Sequence, residues 1–142
     1  MKRVSLVVTV IAAAAAMYAV ITRETRAPDQ DVAVTVPEVV VDTPQAGDLI
    51  TSPLTVTGKA RGFWYFEGVI PVALKDQTTG ATVAEQRLQA QSEWMTEDHV
   101  AFEGTLEFTA PPSASGVVVI RKDNPSGQPE LEASFEVPVR FR

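Results

Sequence analysis

Apolar and polar residues alternate along short segments in most of the chain after residue 37. The clearest alternation runs from 131 to 141, where every second residue is apolar, and it is typical of a strand with one buried face. Residues that favour turns separate such segments at 43–48, 77–80 and 122–130. The pattern predicts about seven short strands and no helix, which is typical of an all-β, immunoglobulin-like β-sandwich; a small barrel is the alternative.

Four consecutive aromatic residues, 63–66, mark the segment that we expect at the centre of the sheet. In a strand, Trp64 and Phe66 would face one side and the other two rings the opposite side. We expect Trp64 and Phe66 to face the core, because apolar residues of 69–74 continue their two-residue phase. Gly58 precedes this segment, at a position where a glycine lets a ring or another backbone approach closely.

Glu67 directly follows the aromatic residues, and we expect its side chain to be partly buried. A buried carboxylate needs hydrogen-bond partners. The backbone amides of the loop at Asn124 are one candidate, and Arg61 and Lys122 are the others. We therefore assign Glu67 a structural role, in preference to general acid–base catalysis.

The chain begins with a basic head, Lys2 and Arg3, and an uncharged apolar run at 4–21. As a helix, this run would span about 27 Å at about 1.5 Å per residue, close to a bilayer core of about 30 Å. The basic residues predict a single-pass anchor in the cytoplasmic membrane, with the N-terminus inside. The alternative is a cleaved signal peptide and a secreted domain, for which Ala14 and Ala16 supply the small-residue pattern.

These patterns divide the chain into three parts. Residues 1–21 form the membrane anchor or signal peptide, and residues 22–37 mix charges and prolines in a way that predicts an extended linker. Residues 38–142 form the sandwich domain, which we expect outside the cytoplasm. The chain would then contact the membrane through residues 4–21.

Composition excludes several classes of function. The net charge of -6 argues against nucleic-acid binding, which needs a basic surface. The chain has no cysteine and one histidine, so neither a cysteine-ligated zinc site nor a cysteine–histidine pair can form. No spacing of Asp76, Asp98 and Asp123 supports a calcium site, and no catalytic fingerprint occurs. We therefore expect neither an enzyme nor a cofactor.

Two features are candidate interaction sites. Residues 124–127 read Asn-Pro-Ser-Gly, a sequence that fits a type I turn, and Asn124 and Ser126 at such a loop tip could contact a ligand. Trp94 lies in a polar segment, where it could form an aromatic platform. The alternatives are a conformational lock for the turn and core packing for the tryptophan.

Several short motifs, in order, resemble the immunoglobulin-like domain associated with bacterial spore-germination proteins, the Gmad type. The resemblance extends over 39–141 and rests on segments 51–58, 64–68, 74–76, 122–127 and 137–139, with Trp94 and Phe102. The family residues at these positions are Gly58, Trp64, Phe66, Glu67, Asp76, Asn124, Pro125 and Gly127. The resemblance implies an exported or envelope-located β-sandwich, often attached to other extracytoplasmic modules.

Together, these observations predict a non-catalytic module that binds an envelope protein or cell-wall glycan. The resemblance implies a role in sporulation or germination. The alternative function is a cell-wall glycan hydrolase, or its accessory carbohydrate-binding module. The acidic content and the two tryptophans are what favour it. A paired-carboxylate hydrolase would need two carboxylates that face each other across a groove.

Overall fold

The computed structural model describes residues 35–142, of which 36–142 form one compact unit. Within these residues there are eight strands and two short 3-10 segments, Gly62–Trp64 and Pro129–Leu131, but no α-helix, so the predicted all-β class is confirmed there. The strands are β1 (Val39–Thr43), β2 (Leu49–Ile50), β3 (Leu54–Arg61), β4 (Val69–Asp76), β5 (Thr82–Ala90), β6 (His99–Leu106), β7 (Ser115–Arg121) and β8 (Ser134–Phe141).

The predicted N-terminal segment, 4–21, and most of the predicted linker lie outside the described residues. In the part of the chain that the structure covers, no helix has the length and apolar character needed to cross a membrane.

The eight strands form one curled sheet in the order β1-β3-β6-β5-β4-β7-β8-β2. All neighbours are antiparallel except β2 and β8. Strands β5 and β6 pair through only two residue pairs, at 89–90 and 102–103. The sheet folds over at this corner, and the two halves face each other across one core. This arrangement fits an immunoglobulin-like sandwich.

The core draws side chains from both halves of the sheet. Phe102 of β6 is 1% exposed and packs in the same cluster as Ile70 of β4 and Ile120 of β7. Gly58 makes room for this ring, because a Cβ there would lie 2.4 Å from the Val40 carbonyl oxygen and 2.8 Å from Phe102 Cζ. The close approach expected at Gly58 is therefore present in the fold.

The aromatic segment is not a strand, and this part of the sequence interpretation is wrong. Residues 62–64 form a 3-10 turn, closed by the hydrogen bond from the Tyr65 amide to the Gly62 carbonyl, 3.0 Å long. The turn breaks the two-residue alternation of a strand. Trp64 and Tyr65 are both buried, whereas Phe63 and Phe66 are 46% and 39% exposed. Phe66 therefore does not face the core.

Both buried rings have partners for their polar atoms, as buried tyrosine and tryptophan usually do. Trp64 Nε1 donates to Glu38 Oε2 at 2.9 Å, and the Tyr65 hydroxyl donates to the Val100 carbonyl at 2.6 Å. Burial raises the pKa of Tyr65 well above its ordinary value of 10.0, although a backbone hydrogen bond at Ala60 opposes the rise. The hydroxyl therefore stays protonated and keeps its role as a donor.

Two alanine substitutions test this assignment of the aromatic rings. Phe102→Ala removes a fully buried ring and should lower the free energy of unfolding by about 3–5 kcal/mol. Phe66→Ala removes a partly exposed ring and should lower it by about 1 kcal/mol or less. Denaturant unfolding of both variants beside the wild type measures the two losses. Equal losses would mean that Phe66 belongs to the core after all.

Candidate functional site

Three loops and the segment before β1 meet at one end of the domain. The strand register places Arg61 opposite His99, Val69 opposite Gln89, and Arg121 opposite Ser134. The connections β3–β4, β5–β6 and β7–β8 therefore all lie at the same end of the strands. We call this region the loop end and define it as residues 36–38, 61–68, 91–98 and 122–133.

Backbone hydrogen bonds join the segments of the loop end to one another. The Gly62 amide donates to the Asp98 carbonyl at 3.0 Å, and the Asp123 amide donates to the Trp64 carbonyl at 2.9 Å. The Arg61 amide donates to the Glu38 carbonyl, also at 2.9 Å. Each bond links two different segments, so they hold one another in place.

Exposed large apolar side chains are concentrated at the loop end. Among residues 35–142, seven large hydrophobic residues are exposed, and only Leu49 lies at the opposite end of the domain. Phe135, the second residue of β8, follows the loop end closely, and the other five belong to it: Val36, Phe63, Phe66, Met95 and Leu131. Met95 is the most exposed of them, at 73%.

The loop end is also strongly acidic. It contains eight carboxylates but only two basic side chains, Arg61 and Lys122. The other described residues carry seven carboxylates and six basic side chains, so their net charge is nearly zero. The eight carboxylates of the loop end are Glu38, Glu67, Glu93, Glu97, Asp98, Asp123, Glu130 and Glu132. A partner would meet apolar groups surrounded by negative charge.

The structure brings the three predicted interaction residues, Trp94, Asn124 and Ser126, to the loop end. Trp94 is half buried against the core and lies beside Gly68, where a Cβ would be 3.5 Å from Trp94 Cδ1 and Nε1. This packing limits its use as an open platform. Phe63 and Met95 are more exposed, and the sequence pattern did not identify them as interaction residues. Met95 could have been identified, because it is an apolar residue next to Trp94 in a polar segment.

The turn at 124–127 forms as expected, with a 3.1 Å hydrogen bond from the Gly127 amide to the Asn124 carbonyl. Asn124 Nδ2 donates to the Gln128 carbonyl at 2.8 Å, and the Ser126 hydroxyl donates to Asn124 Oδ1 at 2.7 Å. Gly127 has a φ of +67° and Pro125 is exposed. The polar groups of Asn124 therefore hold the loop's conformation, which is the lock that the sequence left as an alternative.

Glu67 is exposed and has a φ of +51°, so the expected burial is wrong. Its expected partners are engaged elsewhere. Arg61 Nη1 donates to the Glu97 carbonyl at 3.0 Å, and Lys122 Nζ lies 5.3 Å from the centre of the Phe63 ring. The reason is the 3-10 turn at Gly62–Trp64, which ends β3 before Glu67 is reached. Glu67 therefore lies in the exposed turn between β3 and β4.

A groove of about 530 Å³ runs along the outer face of the sheet next to the loop end. Pro71 forms part of its floor, and charged side chains form its walls. Arg87 pairs with Asp123, and Arg121 Nη2 lies 2.7 Å from Glu85 Oε1. These two carboxylates of the groove are thus each paired with a guanidinium group.

The described residues contain no group of three or more carboxylate, histidine or cysteine side chains placed to hold a metal ion. Asp76 ends β4 at the end of the domain opposite Asp98 and Asp123. His99, in β6, places its Nε2 2.8 Å from the Pro37 carbonyl oxygen.

Asp76 has a local structural role. Its side chain is buried, and Oδ1 accepts hydrogen bonds from the amides of Thr78 and Thr79 at 2.8 and 3.3 Å. The nearby Ser113 side chain and these amides lower the pKa of Asp76 below its ordinary value of 3.8. Burial acts in the opposite direction without reversing the shift. The carboxylate thus holds the β4–β5 turn.

Residues 38–128, more than half of the chain, match the family Gmad2, the immunoglobulin-like domain of bacterial spore germination. No curated protein and no solved structure matches the chain. The chain belongs to this family of immunoglobulin-like domains.

The lowered pKa of Asp76 predicts how stability depends on pH. Because the folded-state pKa lies below the ordinary 3.8, the carboxylate stabilises the fold above that pH, and this contribution is lost as the pH falls below it. Asp76→Asn should therefore unfold more easily than the wild type at pH about 7, and the difference should shrink toward pH about 2.

Denaturant unfolding across this pH range measures the effect. Glu107→Gln is the control, because Glu107 is exposed and makes no side-chain hydrogen bond or ion pair among the described residues. A stability difference for Asp76→Asn that stays constant with pH would contradict the assigned role.

Proposed function

We propose that this protein is a non-catalytic interaction module that binds a protein partner through its loop end, outside the cytoplasmic membrane. One observation carries the proposal: five of the seven exposed large apolar side chains of the described domain belong to the loop end, Phe135 lies beside it, and only Leu49 lies at the opposite end. Exposed apolar side chains that are grouped mark interaction sites, whereas scattered ones need no explanation.

The way the loop end is built supports this use. Binding residues are often carried by loops that a rigid scaffold positions. Here the loops are joined by backbone hydrogen bonds, including the bond between Gly62 and Asp98, and the turn at 124–127 is held by its own side chains. A partner would therefore meet a preformed surface, which lowers the entropy lost on binding.

A protein partner fits this surface better than a glycan does. Stacking of a sugar ring would need an open aromatic face, but Trp94 is half buried beside Gly68 and the exposed Phe63 ring has the Lys122 ammonium over it. The exposed groups are instead separate apolar side chains, such as Met95 and Leu131, among carboxylates.

Family membership supports a role for the module in spore germination.

The location outside the membrane rests on the sequence before the domain. Residues 4–21 carry no charge and follow Lys2 and Arg3, the arrangement that keeps the N-terminus of a membrane helix in the cytoplasm. We propose that this segment anchors the domain to the outer side of the cytoplasmic membrane.

A reporter fused after Arg142 tests the location. A reporter that works only outside the cytoplasm should be active there, because the basic head stays inside. Activity of a cytoplasm-dependent reporter at the same position would contradict the orientation. The mass of the mature protein should correspond to an uncleaved chain; an N-terminus at Met17 would replace the anchor by a cleaved signal.

Capture from a bacterial envelope fraction tests the binding surface. Full-length wild-type protein should retain a discrete protein, and the double substitution Phe63→Ser with Met95→Ser should abolish retention without lowering the melting temperature, because both side chains are exposed. The control is Leu49→Ser, an exposed apolar residue at the opposite end. Equal capture by both variants, or retention of purified peptidoglycan alone, would contradict the proposal.

A further inference from the structure

We infer that the loop end selects a basic polypeptide segment with apolar side chains, so the partner presents lysines or arginines around its apolar contacts. This inference rests on the proposed function and adds the chemistry of the partner. It follows from where charge and apolar exposure coincide on the domain.

The negative charge of the described domain lies almost entirely at the loop end. Eight carboxylates against two basic side chains leave this end at -6, while the rest of residues 35–142, with seven carboxylates and six basic side chains, stands at -1. Complementary charge sets the orientation of docking and the choice of partner. A partner that buries the apolar side chains must come close to these carboxylates.

Several of these carboxylates are unengaged, whereas both basic groups are engaged. Glu67, Glu97 and Glu130 are exposed, and their side chains make no hydrogen bond or ion pair among the described residues. Arg61 donates to the Glu97 carbonyl, and Lys122 lies over the Phe63 ring. The charge offered to a partner at this end is therefore negative.

Three of the eight carboxylates form hydrogen bonds or ion pairs within the domain, so fewer than eight are available to a partner. Glu38 accepts the hydrogen bond from Trp64 Nε1, Asp123 pairs with Arg87, and Glu93 Oε1 accepts from the Met95 amide at 3.0 Å. The remaining five carboxylates are Glu67, Glu97, Asp98, Glu130 and Glu132. Five negative groups around exposed apolar side chains suit a cationic, amphipathic segment.

Two other occupants fit less well. An anionic bilayer surface attracts basic groups, and it would repel this acidic end. A second copy joined loop end to loop end would bring two regions of like charge together, which is unfavourable at an interface. A basic segment with apolar side chains avoids both conflicts.

A pair of synthetic amphipathic peptides tests the inference with the full-length protein. One peptide carries lysine and leucine, and the other carries glutamate and leucine at matched positions. The lysine peptide should bind the wild type, and raising the ionic strength from about 0.1 M to about 1 M should weaken binding, because salt screens exposed charges. The glutamate peptide should not bind.

Matched charge variants separate a site from general attraction. Replacing Glu67, Glu97 and Glu130 by glutamine should weaken binding of the lysine peptide about tenfold. Replacing Asp42 by asparagine and Glu103 and Glu107 by glutamine changes the net charge equally, at exposed positions away from the loop end, and should change binding less than about twofold. Because neither set contributes a side-chain hydrogen bond or ion pair, both variants should fold.

Equal weakening by the two variants would overturn the inference, since it would show attraction by net charge alone. Equal binding of the two peptides would overturn it as well. The proposed function would survive either result if envelope capture still depended on Phe63 and Met95. If the double variant Phe63→Ser with Met95→Ser captured as much envelope protein as the Leu49→Ser control, the proposed function itself would be contradicted. The two failures are therefore distinguishable.

Discussion

The β3–β4 connection is the constraint on which the rest of the structure depends. It crosses from the half of the sheet that contains β3 to the half that contains β4, and it does so by burying Trp64 and Tyr65 side by side. Their polar atoms bond to Glu38 and to Val100, so the crossing fixes both the segment before β1 and the start of β6. Gly62 is required there, because a Cβ would lie 2.0 Å from the Thr96 carbonyl oxygen.

The sequence predicts the strands well where side chains alternate, as in β3 and β8. Pro71 is accommodated in β4 because it pairs with Arg87 of β5 but precedes the first β4–β7 pair at Val72, so its missing amide hydrogen removes no bond to β7. The prediction failed at 63–66, because periodicity cannot show the close approach of the Thr96 carbonyl oxygen to Gly62, where the 3-10 turn begins. Strand β2, with two residues, is too short to produce a pattern.

The candidate site was predictable only in part, and for a related reason. Asn124 and Ser126 were recognisable because turn chemistry is local, and the structure uses their side chains within the loop. Phe63 and Met95 are candidates because their side chains are exposed. Their exposure depends on how the sheet folds over, which the sequence pattern does not show. The grouping of charge was equally hidden, because the eight carboxylates of the loop end come from four separate segments of the chain.

The distribution of charge also bears on why the apolar residues are tolerated. Net charge keeps a protein soluble, and an acidic rim around exposed apolar groups would serve that purpose at the loop end. Solubility alone does not require charge of one sign at one end, because the rest of the described domain is nearly neutral, with seven carboxylates and six basic side chains. Leu49, exposed at the opposite end, has no such acidic excess around it: the segment 44–53 contains one carboxylate, Asp48, and its side chain accepts the hydrogen bond from the Gln45 amide. The coincidence of apolar exposure with unengaged carboxylates is found at the loop end, and the proposed recognition of a partner would explain both features with one cause.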